Sequence, residues 1–147
     1  VNGRLPWARL ERWLVVLIVL HSAAVGAMLL FAAGWSTRFG GWPAVDPLFF
    51  PRQAGAFHFV VAFAYLYEYL RLRGVTILVF TKSVALVFLI AAALLGEGAW
   101  SVPFSGIGDG LMGLAALLVH WRVLADRGMA DPAAVSPEPG AGHLTGL

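Results

Sequence analysis

Residues 52–73, RQAGAFHFVVAFAYLYEYLRLR, decide how the rest of the chain is read. The run is mostly apolar, yet it carries His58, Tyr65, Tyr67, Tyr69 and Glu68, and Arg71 and Arg73 close it. Its core, 53–71, makes a helix of about 29 Å at the usual rise, which matches the hydrocarbon of a bilayer. Ionisable groups at that depth are costly against lipid, so neighbouring helices must cover them. The stretch therefore predicts one helix of a membrane bundle, and the neighbours have to be found in the flanking sequence.

Downstream, only Arg71, Leu72, Arg73 and Gly74 separate this helix from the next apolar run, 75–95, VTILVFTKSVALVFLIAAALL. So short a link makes the two spans adjacent and antiparallel. GEGAWSVPFS then forms a turn, with Ser105 at the N-cap position of a fourth span, 106–124, GIGDGLMGLAALLVHWRVL. Upstream, residues 34–52 bring Gly34, Gly40, Gly41 and Pro43 together with Phe39, Trp42, Phe49 and Phe50. That segment is too apolar for a solvated loop and is expected to lie along a membrane interface, with Asp46-Pro47 capping a short helical turn. Residues 13–33 supply the first span and are longer than the apolar core of a signal peptide.

Composition agrees with a bilayer as solvent: 60% of the 147 residues are hydrophobic, 12% are charged and the mean hydropathy is +0.81. The net charge of +2 sits mostly on arginines near the ends of the apolar runs. If the N-terminus is cytoplasmic, that side receives Arg4, Arg9, Arg12, Arg71, Arg73, Arg122 and Arg127, and the other side Arg38 and Arg52. Seven against two puts both termini in the cytoplasm. Trp7, Trp13 and Trp121 mark one interface, and Trp35, Trp42 and Trp100 the other. The expected fold is thus an all-α, integral membrane four-helix bundle in residues 1–126, followed by a Pro/Gly-rich tail, 127–147, that only a partner would order. Val1 in place of Met points to a processed or truncated beginning.

Helix association in lipid depends on small residues and interhelical hydrogen bonds. Ser22 and Gly26 in the first span, and Gly106, Gly110 and Gly113 in the fourth, are the expected packing positions. Among polar residues, Glu68 lies three residues in from Arg71, and Lys82 eight in from Gly74. Lys82 can bend its stem toward the cytoplasm, so Glu68, Lys82, His120 and His21 are expected to form one polar cluster in the inner half, which with Tyr65 makes the candidate ligand-binding set. His58 and Asp109, each near the outer start of its span, make a second expected pair. Five of these have a structural alternative: a register-setting ion pair for Glu68 and Lys82, a satisfied core histidine at His21, an interfacial residue at His120, a first-turn anion at Asp109.

Several chemistries are excluded or disfavoured. The chain has no cysteine, hence no thiolate ligand, cysteine nucleophile or disulfide. The histidines in the spans sit on separate helices at different depths, without metal-ligand spacing or a facing pair for haem, so no metal is expected. No phosphate loop, nucleophile elbow or dinucleotide fingerprint is present, and GIGDG lacks a preceding strand. The arginines do not cluster on a polar face, so nucleic acid is not an expected partner.

In the order of its elements the chain resembles the DoxX-like group of small four-helix membrane proteins. The similarity rests on GWSTRFGGWPAVDPLFF, RQAGAFHFVVAFAYLYEYLRLR with its short basic turn, and TKSVALVFL, and covers about residues 10–124. The resemblance implies association with quinone-linked redox complexes, and the related EXPERA bundles imply lipid or sterol ligands; a bacterial cytoplasmic membrane is the implied location. Two functions follow as expectations. One is a non-catalytic accessory subunit of a larger, redox or photosynthetic, membrane complex. The other is a lipid- or quinone-binding module with its polar site around Glu68 and Lys82. A proton carrier using the same cluster is a third.

Overall fold

The computed structural model describes residues 7–130; Arg4 and the tail beyond Ala130 lie outside them. Five α-helices follow one another: α1 (Trp7–Phe31), α2 (Ala33–Phe39), α3 (Phe49–Tyr67), α4 (Thr76–Leu94) and α5 (Ser101–Ala130). A π-helical turn, Glu68–Leu72, continues α3. Among the described residues there is no strand. Three helices are long and apolar enough to cross a membrane: α1, α4 and α5 over Ser101–Gly128. The expected second span is not among them, because Arg52, Gln53 and His58 dilute the apolar character of α3.

Large apolar side chains point away from the protein all along these helices: Phe63 and Phe80 are each 69% exposed and Leu111 63%. A water-soluble chain would not leave so continuous an apolar surface uncovered. The interior is small by comparison and is built from Val15 and Ile18 of α1, Tyr65 of α3, Val75 and Leu78 around the start of α4, and Ala116 of α5.

Packing is unequal around the molecule. α1 lies along α3 and α4 along α5 over most of their lengths; α1 and α5 meet less extensively, and α3 and α4 touch little. Glycines set the two close pairs. A Cβ added at Gly55 of α3 would lie 2.7 Å from both the Gly26 carbonyl oxygen and the Leu30 nitrogen of α1. On α5, Gly106, Gly110 and Gly113 face Leu89, Leu86 and Lys82 of α4, an order of contacts that makes the pair antiparallel.

Four boundaries differ from the sequence reading. α1 begins at Trp7, so the basic lead-in is helical from that point. Ser105 is not an N-cap: α5 starts at Ser101, and Pro103 sits in its first turn, where its missing N–H costs nothing. Asp46-Pro47 does not cap α3, whose N-cap is Leu48 with no side-chain bond. At the far end α5 runs through Arg127 to Ala130, past the expected start of the tail.

Between α1 and α3 the interfacial segment forms α2, where the Ser36 hydroxyl donates to the Ala32 carbonyl at 2.8 Å and bridges the break after α1. This segment is clasped to the α4–α5 connection. The Trp100 indole N–H donates to the Phe39 carbonyl at 2.9 Å, and the Ser101 amide to that of Gly40 at 3.2 Å. Trp35 stacks on Phe39 at 5.1 Å, and Phe39 meets Trp100 edge-on at 5.7 Å.

Candidate functional site

The polar residues of the helices gather in three places, and none of them is the expected pair of Glu68 with Lys82. Lys82 instead forms a salt bridge with Asp109 of α5, its side chain 7% and that of Asp109 17% exposed. The register explains the choice. Lys82 lies opposite Gly113, whose missing side chain leaves room for the lysine stem: an added Cβ would sit 3.1 Å from Lys82 Cβ. Asp109 is one turn earlier on α5, about 6 Å along the axis, within the reach of that stem. Since α5 starts at Ser101, Asp109 lies about 12 Å along it, well past the first turn where an acid is stabilised by the helix dipole.

Two cavities flank this ion pair. The larger, about 300 Å³, opens where α3 and α4 diverge and is lined by Ser22, His58, Tyr65, Thr81, Lys82 and Asp109, with Phe57 and Ala85 toward its rim. The smaller, about 130 Å³, lies between α1 and α5 and adds His21, Phe104 and Ser105 to Ser22, His58, Lys82 and Asp109. Ser22, His58, Lys82 and Asp109 therefore form the wall the two share.

His58 does not pair with Asp109 directly. Its Nδ1 donates to the Ala54 carbonyl one turn back, at 2.8 Å. A carbonyl can only accept, so Nδ1 carries the hydrogen and Nε2 of the neutral ring is left as an acceptor. His21 is largely exposed on α1 and only edges the smaller cavity. Tyr65 is buried.

Glu68 has a different task. Its two carboxylate oxygens accept from the Thr76 and Ile77 amides, both at 2.8 Å, and so satisfy two of the free N–H groups that begin α4. Glycine at 74 keeps the way open, as a Cβ there would lie 3.1 Å from Glu68 Oε1. Replacing Glu68 with Gln keeps the shape but loses the charge and turns one end of the fork into a donor. The expected cost is about 1–2 kcal/mol in a detergent unfolding titration, with no change at the Lys82 cavities.

The third cluster was not foreseen as such. His120, placed by sequence with Glu68 and Lys82, bonds through Nδ1 to Glu11 Oε1 at 2.5 Å. The Tyr69 hydroxyl donates to the other Glu11 oxygen at 3.4 Å. Glu11 is buried and ties α1, α5 and the π-helical turn together at the end that bears Arg71 and Arg73. Its signal was present: Glu11, Val15, Ile18, Ser22 and Gly26 are spaced by three and four and form the buried stripe of α1. Gly55 was likewise missed, although it begins the corresponding stripe of α3 with Ala62 and Tyr65.

Among the described residues no three His, Asp or Glu side chains meet as a metal site. Searches of family models, curated proteins and solved structures find no match to this chain.

Proposed function

We propose that the chain is a four-helix integral membrane module that binds a lipophilic ligand, of quinone or lipid type, with the ligand's polar head at Lys82 and Asp109. In this reading α1, α3 with its π-helical turn, α4 and α5 all cross the bilayer, and the arginine distribution favours both termini of the chain on the cytoplasmic side. The DoxX-like resemblance is compatible with it. The observation that carries the reading is the buried ion pair with a cavity on either side. Stability alone is a weak reason for a buried ion pair, since replacing it with apolar residues is often neutral or better. Here the charges border a space of about 300 Å³, at the small end of ligand pockets, with apolar residues at its rim for a tail. The residues that would meet a head group are Lys82 as donor, Asp109 and His58 Nε2 as acceptors, and the hydroxyls of Ser22, Thr81 and Tyr65. Glu68 and His120 have no part in it.

Lipid covers the exposed apolar residues as well as a partner subunit would, so the accessory-subunit reading gains no separate support from the fold. The binding reading is tested with decylubiquinone titrated into the purified protein in nanodiscs. Saturable binding is expected in the unaltered chain. Ala85→Phe, which fills the rim of the larger cavity, should weaken it about tenfold, equivalent to about 1.4 kcal/mol. Uptake no greater than that of empty nanodiscs, for decylubiquinone and for an ionised long-chain amphiphile alike, would refute the reading.

A further inference from the structure

The charge balance of the shared wall restricts the kind of head group the site can take. The Lys82 ammonium and the Asp109 carboxylate cancel each other, well inside the helices. A bound ion that left a net charge there would meet the same penalty as any uncompensated charge in a poorly solvated interior. The ammonium has three N–H groups, of which Asp109 engages one, so Lys82 keeps donors for a second anionic partner. Ser22, Thr81 and Tyr65 add hydroxyls to the larger cavity, while Asp109 is the one carboxylate lining either cavity.

From this geometry we infer that the ligand is a lipophilic anion, an alkyl chain ending in an acidic head group, and that each anion enters together with one proton, which Asp109 takes up. The anion replaces Asp109 as the partner of Lys82. The displaced carboxylate then has no cation beside it, and protonation restores neutrality: one positive ammonium, one negative head group, one uncharged carboxyl. The groups that face Asp109 across the two cavities are His21 from α1, His58 and Tyr65 from α3 and Lys82 from α4. Of these Lys82 is its salt-bridge partner, and the release of that bridge is what makes Asp109 the proton acceptor. This inference rests on the binding reading above and narrows its ligand class.

The test uses 1-decanesulfonate, whose head group stays ionised, so that any proton taken up must go to the protein. It is titrated into the full chain in neutral-lipid nanodiscs, in weak buffer with a pH indicator. One proton is expected per sulfonate bound, and the apparent affinity should weaken as pH rises. In Asp109→Asn the sulfonate should bind with no proton uptake and a flat pH dependence. It should also raise the thermal midpoint of that variant more than that of the unaltered chain, because it supplies the anion that Lys82 lacks. Binding without proton uptake by the unaltered chain, or uptake that persists in Asp109→Asn, overturns the inference. Decylubiquinone binding while decanesulfonate does not overturns it and leaves the broader reading intact; failure of both removes the two together. Should Asp109→Asn not fold, proton uptake by the unaltered chain decides alone.

Discussion

Lys82→Met is expected to cost about 3–5 kcal/mol of unfolding free energy, because it leaves the Asp109 carboxylate enclosed without its counter-charge. The loss should be recovered in large part by Lys82→Met combined with Asp109→Leu, which removes both charges and fills much of the same volume. Unfolding in a titration from mild to denaturing detergent measures both. A single variant as stable as the unaltered chain would mean that the two charges do not depend on each other. Recovery in the double variant, with loss of ligand binding, would separate the stability of the bundle from the reason it keeps an ion pair.

Gly55→Ala should be the next most damaging change, at about 1–3 kcal/mol, the range of an overpacked core. The added methyl would sit 2.7 Å from two backbone atoms of α1 and 3.1 Å from the Leu29 carbonyl carbon. No side chain can swing aside to relieve contacts with backbone, so the helices themselves must part. In lipid that separation matters more than in water, since close packing supplies much of the attraction between helices. Gly26 faces the same constraint from the other side, with an added Cβ 2.9 Å from the Gly55 carbonyl oxygen and 3.0 Å from His58 Cβ. Gly55→Ala should therefore also displace His58 and weaken ligand binding. Gly108→Ala is the control: nothing lies within 4 Å of the added atom, and stability should hold or rise. Equal stability of Gly55→Ala and the control would mean that α1 and α3 are not in close contact.

Apolar runs of membrane length were enough to place α1, α4 and α5, but counting residues along them gave depth only where the helix ends were read correctly and left rotation about each axis open. Glu68 illustrates the gap. Its position near the Arg71 end was legible, yet its partners are amides of α4 itself, because so short a link brings the Thr76 and Ile77 N–H groups to it. Asp109 failed through a boundary. Reading SVPF as turn rather than as the first turn of α5 moved the aspartate toward the surface and hid the match with Lys82. The partner of His120 was hidden by composition: a single acid among Arg9, Arg12 and Trp13 looks like headgroup sequence until the stripe through Ser22 and Gly26 is followed back to Glu11.

The clasp between Phe39 and Trp100 and the Glu11–His120 contact both tie the α1–α3 half to the α4–α5 half, one toward each end of the molecule. They act as the two ends of a book's spine, with α3 and α4 as the covers. The covers are joined toward the Arg73 end, where the chain passes from one to the other and Glu68 grips the start of α4. On the function proposed above, a parting of α3 from α4 would open sideways to the bilayer, and a ligand admitted there need never dissolve in water. How fast it arrived would then be set by its abundance within the membrane.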